Sequence, residues 1–314
     1  MFKKITAILL CTVTIFTLSA CGSSISHKNK SSAQAQTGTE SNSGKIKVSV
    51  TFDAMKELVK AIGKDKVSIS TIIPDGTEPH DFEPKARDLV NLSSAKLFVY
   101  NGLGMESWVT DAIKSVNNKN LITVDASASI TPIANTNKGE TSKHGQYDPH
   151  IWLSLTNAKL ISKSIADALS KIDPSNQSYY EANYNNFSSK SDALSNEYAQ
   201  KFATVSNKSF VTGHAAFAYL CRDFGLTQNS VEDVFAEGEP SAKQLVNLVT
   251  YCKENHVTTI FAEELASPEV SKTLADEVGA KVKTIYTIES REDGKSYLDR
   301  MQDNLSEIYE SLSK

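Results

Sequence analysis

Positive charge is in short supply in this chain. Its 33 Lys+Arg are outnumbered by 37 Asp+Glu, a formal net charge of -4, and no basic block lies beyond the extreme N-terminus and Lys28-Asn29-Lys30. A nucleic-acid binder concentrates Lys and Arg on one face, so nucleic acid is excluded as a partner. Neither an HExxH helix nor a GxSxG elbow occurs, which removes two common motif routes to hydrolytic chemistry. Of the four cysteines, Cys11 and Cys21 lie in the first 21 residues, leaving Cys221 and Cys252. Each falls on a helical apolar pattern, where a free thiol serves as a small hydrophobe. A disulfide between them is the alternative in an oxidising compartment, and nothing near them completes a zinc site. The one long apolar run, Ile5 to Leu18, is too short and Thr-rich for a good transmembrane helix.

That run follows Lys3-Lys4 and precedes Leu18-Ser19-Ala20-Cys21. A basic start, an apolar middle and small residues before a Cys make a signal peptide, and the last four residues resemble the lipobox of bacterial lipoproteins. The expected organisation is therefore a lipoprotein signal over 1–20, with Cys21 as the lipid attachment point on the extracytoplasmic face of the cell membrane. Residues 21–44 then form a flexible tether, because Ser, Gln, Thr, Asn, Gly and Lys with almost no apolar residue cannot bury a core. His27 lies in that tether as a solvated residue.

From Lys45 onward strand-like and helix-like segments alternate, as in Lys47 to Phe52, Ala54 to Ile62 and Val67 to Ile73. Helices are expected over Pro84 to Ala95 and Glu106 to Val116, with strands at Lys96 to Tyr100 and Leu121 to Val124. This order predicts an α/β fold with mostly parallel sheets. A second alternating set begins at Ser209 and runs through the helix Ala215 to Phe224, the strand Thr258 to Ala262 and the strand Ala280 to Ile288. Between the sets, Asn176 to Thr204 holds no Gly or Pro, and Tyr180, Tyr184, Phe187, Leu194, Tyr198 and Phe202 recur on one helix face. One continuous helix there would span roughly 40 Å and act as a rigid strut; a break near Ser188-Ser189 is the alternative. The expected units are an N-terminal lobe over 45–174, a linking helix over 175–205 and a C-terminal lobe over 206–314.

The chain has six histidines, and three of them, His80, His150 and His214, sit at or just beyond the C-terminal ends of strand-like runs, as does Glu289. Open α/β sheets place their ligand sites at that edge, and imidazoles with one carboxylate suit a borderline cation such as Zn²⁺. Pro79 and Pro84 stiffen the backbone around His80, and Glu78, Asp81 and Glu83 are near enough to orient its ring. Trp152 flanks His150 and would exclude water. Glu263 and Glu264, after Ile260-Phe261, rival Glu289 as the fourth ligand by the same argument. His144, in the polar stretch Ala134 to Gln146, is a candidate for accessory metal capture. His256 closes a helix, where a partly cationic histidine is favoured by the helix dipole.

Several segments together resemble the metal-specific solute-binding lipoproteins of bacterial ABC importers for zinc and manganese: Glu78-Pro79-His80-Asp81-Phe82-Glu83-Pro84, Tyr100 to Trp108, Asp148-Pro149-His150-Ile151-Trp152-Leu153, Gly213-His214-Ala215-Ala216-Phe217 and Glu237 to Ser241. The resemblance covers essentially all of the mature chain. It implies two α/β lobes joined by a long rigid helix, with one cation in the interlobe cleft held by His80, His150, His214 and Glu289, or by water in place of the last. It also implies a monomer that passes its cation to a membrane permease and its ATPase. A histidine as third ligand points to the zinc branch, and three imidazoles with one carboxylate make the closed four-coordinate shell typical of Zn²⁺. Mn²⁺ prefers more oxygen donors but remains the alternative cation. The short stretch before His150 lacks the His-rich loop of some zinc receptors.

The expectation is therefore a binding protein and not an enzyme. Two further readings stand beside it. A zinc hydrolase would need an open coordination position for water, and an adhesin role is one that lipid-anchored members of the resembled family also carry.

Overall fold

The computed structural model describes residues 44–135, 146–232, 242–263, 265, 268–291 and 293–313; Cys21, His27, His144 and Glu264 lie outside the described residues. The first half builds one sheet. It runs through β1 (Ile46–Val50), α1 (Asp53–Gly63), β2 (Val67–Thr71), α2 (Val90–Ser94), β3 (Leu97–Tyr100), α3 (Val109–Val116) and β4 (Ile122–Asp125). The strands pair in parallel in the order β2-β1-β3-β4. Leu97, Phe98 and Val99 of β3 are all buried, the near-continuous apolar run that a strand covered on both faces requires. α4 (Leu155–Ile172), capped by Ser154 Oγ accepting the Asn157 N–H, packs on α1, β3 and β4.

α5 (Gln177–Thr204) then runs 28 residues without a break, straight through Ser188-Ser189. Its buried positions Tyr180, Asn183, Phe187, Ser191, Leu194, Tyr198 and Phe202 fall at steps of three or four, a single stripe turned toward α1, α4 and α9 (Tyr297–Leu312). The second half repeats the topology of the first: β5 (Ser209–Thr212), α6 (Ala218–Phe224), β6 (Thr227–Ser230), α7 (Ala242–Glu254), β7 (Thr259–Ala262), α8 (Pro268–Val278) and β8 (Lys281–Thr284) give a parallel sheet ordered β6-β5-β7-β8. The fold class expected from the alternation, two α/β lobes with parallel sheets and a long helix, is the observed one.

Some elements differ from the expectation. The helix expected from Pro84 shrinks to Val90–Ser94, because residues 85–90 close successive three-residue turns, Asp88 N–H to Lys85 O, Leu89 N–H to Ala86 O and Val90 N–H to Arg87 O. Likewise, α3 starts at Val109 and not at Glu106, whose carboxylate is occupied elsewhere. β6 is a polar edge strand, Thr-Gln-Asn-Ser, that hydrophobic patterning does not reveal. The last strand ends at Thr284 rather than Ile288. Cys221 and Cys252 are free thiols in α6 and α7, so the disulfide alternative falls away. They lie in different hydrophobic clusters, and burial pushes their pKa values up to about 12 and about 11.

The main hydrophobic cluster does not respect the division into lobes. It includes Phe52 and Trp152 from the first half, Phe187 and Phe202 from the strut, and Ile288, Tyr297 and Met301 from the second. A smaller cluster, with Val211, Leu248, Ile260 and Leu274, lies within the second half. Polar bonds also cross between halves: Asp53 Oδ2 pairs with Arg300 Nη1 at 2.9 Å, both side chains 1% exposed, and Trp152 Nε1 donates to Thr287 O at 2.7 Å.

Candidate metal centre

Because every strand in each sheet runs the same way, the chain leaves all of them at one edge, where the topology places ligands. His214 lies two residues beyond β5, and Glu289 lies five residues beyond β8. His80 sits in the long excursion after β2. His150 is the exception to the strand-end expectation: it precedes the short 3₁₀ turn Ile151–Leu153 that leads into α4. Ile288, fully buried beside Glu289, has φ +60°. That left-handed conformation is strained for a β-branched residue and persists only where the surroundings impose it.

The structure brings His80, His150, His214 and Glu289 together. One ligand atom from each of the three histidines lies within 4.8 Å of the other two. His80 Nε2 is 3.2 Å from His150 Nε2, and Glu289 Oε1 approaches them at 3.9 and 3.5 Å. The rings cross edge to face, with centroids 5.1 Å apart for His80–His150 and 4.7 Å for His150–His214. Donors around a tetrahedral Zn²⁺ at about 2.1 Å stand about 3.4 Å apart, so these separations suit a cation at the centre. Glu289 Oε1 is buried with no hydrogen-bond partner, an arrangement that is costly unless a positive group answers it. Its other oxygen accepts Thr287 Oγ1 at 2.8 Å, which leaves Oε1 turned to the histidines.

Charge is finely divided here. Burial raises the Glu289 carboxyl, but the His150 contact and the charges of His214, His150 and His80 outweigh it and bring its pKa down to about 2. Burial disfavours the His150 imidazolium, yet Asp148, by charge and by hydrogen bond, and Glu289 carry its pKa up to about 9. Glu78 is pushed up to about 8 by burial and by the Glu289 charge. Of these two neighbouring carboxyls, Glu289 is thus the ionised one.

Residues around the candidate ligands, several not singled out from the sequence, hold them in place. Asp148 Oδ1 takes both the backbone N–H and Nδ1 of His150 at 2.8 Å, which turns Nε2 toward His80 and Glu289. Tyr219 Oη donates to Asp148 O, and Asn101 Nδ2 donates to Pro149 O at 2.8 Å. Asn101 is itself fixed by the buried Glu106, whose carboxylate accepts the Asn101 and Gly102 N–H groups at 2.9 and 3.1 Å. His214 is gripped by its backbone: its N–H donates to Glu263 Oε1 at 3.0 Å, and its carbonyl accepts from Thr212 Oγ1 and Gln228 Nε2. Glu263 thus braces the His214 backbone, while Glu289 Oε1 faces the imidazoles. A Cβ at Gly213 would lie 2.4 Å from Glu263 Oε2, so any larger residue would displace the carboxylate that holds the His214 N–H. Glu78 Oε1 accepts the His80 N–H at 3.2 Å, while Asp81 and Glu83 are exposed. His256 lies just beyond α7 at φ +50°.

Residues 48–311 match the family described as ZnuA, zinc-uptake complex component A, periplasmic. The chain belongs to this family. Among its relatives, a protein of Treponema pallidum (strain Nichols) named as a candidate metal-binding protein is 45% identical over 86% of this chain and 88% of its own length. The high-affinity zinc uptake system protein ZnuA of Bacillus subtilis (strain 168) is 37% identical over 99% of both chains. A solved structure of the laminin-binding protein Lmb of Streptococcus agalactiae, described as bifunctional with adhesin and metal-transporting activity, superposes with a TM-score of 0.78 at 32% identity, over 86% of this chain and all of that one. The ZnuA family is one of solute-binding transport proteins.

Proposed function

We propose that this protein captures Zn²⁺ outside the cytoplasm and hands it to the permease of an ABC importer, with His80, His150, His214 and Glu289 as the ligands. The observation that carries the reading is the convergence of three imidazoles and one ionised carboxylate in a buried pocket. Zn²⁺ is cargo here. Three neutral nitrogen donors and one oxygen fill a four-coordinate shell, and a filled shell favours carriage over hydrolysis, which needs a position open to water. A lipid on Cys21 and the segment 21–44 as tether would keep the protein beside the permease. The adhesin activity of the Lmb relative gives no residue in this chain a role, so adhesion stays a secondary reading.

Release from such a site cannot rest on proton competition alone at neutral pH, and the uninterrupted strut α5 resists a wide hinge. Movement of the loops that carry His80 and His150, provoked by the permease, is the more economical route. The decisive experiment is metal analysis of protein purified without added metal, followed by competition between Zn²⁺ and Mn²⁺. One equivalent of zinc, not displaced by excess Mn²⁺, is expected; stoichiometric manganese, or no bound metal at any zinc concentration, would overturn the assignment.

A further inference from the structure

A groove of about 380 Å³ lies beside the loop that carries His80, lined on the loop side by Glu83, Pro84 and Leu89 and on the α3 side by Trp108, Asp111 and Ser115. The loop rests on the helix through Phe82, whose ring meets Trp108 with centroids 6.0 Å apart. Phe82 is two residues from His80. Whatever enters between loop and helix therefore bears directly on the backbone of a ligand.

Three observations describe what would fit. The lining sets the apolar Pro84, Leu89 and indole edge of Trp108 among the polar Glu83, Ser107, Asp111 and Ser115, so a single apolar side chain flanked by polar ones would fit it. Its charged lining residues, Glu83 and Asp111, are both acidic, and Asp111 has an exposed Lys114 partner at 3.4 Å. A cationic side chain is the complement at such a rim. Trp108 is 7% exposed and its Nε1–H, buried, has no acceptor. Buried indole N–H groups ordinarily find one, and a carbonyl of an inserted segment would supply it. A second copy of this chain is a poor occupant, because its net charge of -4 adds repulsion to an acidic rim.

We infer that this groove is the docking point for a loop of the metal-accepting permease, an extended segment with an apolar side chain flanked by Lys or Arg, and that its insertion lifts the His80 loop from α3 and opens the metal site. The inference rests on the transport reading. Its direction follows from continuity: the segment from His80 to Leu89 is both a metal-site loop and one wall of the groove. Contact on one wall couples to the cation without any change in the strut.

The test uses the full lipidated protein with its permease and ATPase reconstituted in vesicles, reading zinc-dependent ATP hydrolysis and zinc uptake. Asp111→Lys reverses the rim charge, Ser115→Trp blocks the groove, and Trp108→Phe removes only the N–H; all three lie on or next to α3, outside the ligand set. Zinc affinity of the isolated variants is expected to stay at the wild-type value. Stimulation of the permease should fall about tenfold or more for the first two, as loss of a complementary charge or of access at a docking site would produce, and less for the third. Wild-type stimulation by both Asp111→Lys and Ser115→Trp would overturn the groove assignment while leaving the transport reading intact. No stimulation by the zinc-loaded wild type would overturn the transport reading and the groove with it.

Discussion

His150 is the most tightly specified residue of the site: fully buried, tied by Asp148 at both its backbone N–H and Nδ1, and 3.2 Å from His80 Nε2. Asp148→Asn keeps the shape but removes the charge that orients the ring, and loss of such an outer partner typically costs about 10- to 100-fold in metal affinity. His214→Ala should cost at least as much, whereas His144→Ala should leave affinity unchanged; equal losses for the two in a zinc-chelator competition would overturn the ligand ranking. A cation must displace the His150 proton, and that pKa is raised to about 9. Zinc affinity should therefore climb as pH rises from 6 toward 9, with about one proton released per zinc near pH 7.5. Calorimetry in buffers of different ionisation heat counts that proton, and zero release would be incompatible with the His150 assignment. The protein prepared without metal obeys the same ledger. The His150 contribution to stability is complete below the unfolded value near 6.5 and is lost as pH rises through about 9, while that of Glu289 is present above about 4.5 and is lost as pH falls toward 2. The four candidate ligands, which the structure brings together, were legible because histidine is scarce in this chain and because open sheets place sites at one edge. Asn101, Glu106 and Gln228 were not, since they act through backbone groups and their side chains carry no ligand signature, and Glu263 was read as a rival ligand because its bond to the His214 N–H cannot be seen in sequence.

Among the elements, α5 was the easiest to read and α2 the hardest, for one physical reason. A long segment without Gly or Pro and with an apolar stripe has one favourable conformation. Residues 84–95 offer helical spacing, but Asp88 accepts the Lys85 N–H and the backbone closes tight turns before a helix can start. The polar edge strand β6 escaped because its stability comes from the ladder with β5, and its Gln228 serves the His214 loop. For α5 the consequence is measurable. Ser189 is exposed at mid-helix, so Ser189→Pro removes a backbone bond and kinks the strut at a cost of about 3 kcal/mol or more, while Ser189→Ala is neutral or slightly stabilising. Thermal unfolding of the two variants should separate them clearly. Similar melting temperatures would mean that the helix is already interrupted in solution.

For the molecule as a whole, the resemblance implied two lobes joined by a rigid helix with a cation in the cleft, and the packing joins those lobes through a shared core as well. From Gly44 onward the chain is one compact unit, one hydrophobic cluster runs through both halves, and the Asp53–Arg300 pair is buried between α1 and α9. Asp293 lies 3.4 Å from the same guanidinium. Such contacts could not be read from sequence, because the partners stand more than 240 residues apart (53 and 300) with no motif linking them. Removing one member of a buried ion pair is costly, and here it leaves Asp53 only its Lys56 partner at 2.8 Å, so Arg300→Ala should destabilise the fold by about 3 kcal/mol. The same pair fixes the lobes against each other. Small-angle scattering of the wild type should therefore give the same radius of gyration with and without zinc, since binding adjusts loops and leaves the lobe arrangement alone. If Arg300→Ala stays folded, its lobes have lost one of their clamps, and a contraction on adding zinc should appear in that variant alone. A zinc-driven contraction of comparable size in the wild type would mean that the shared core yields after all, and that the metal closes a hinge.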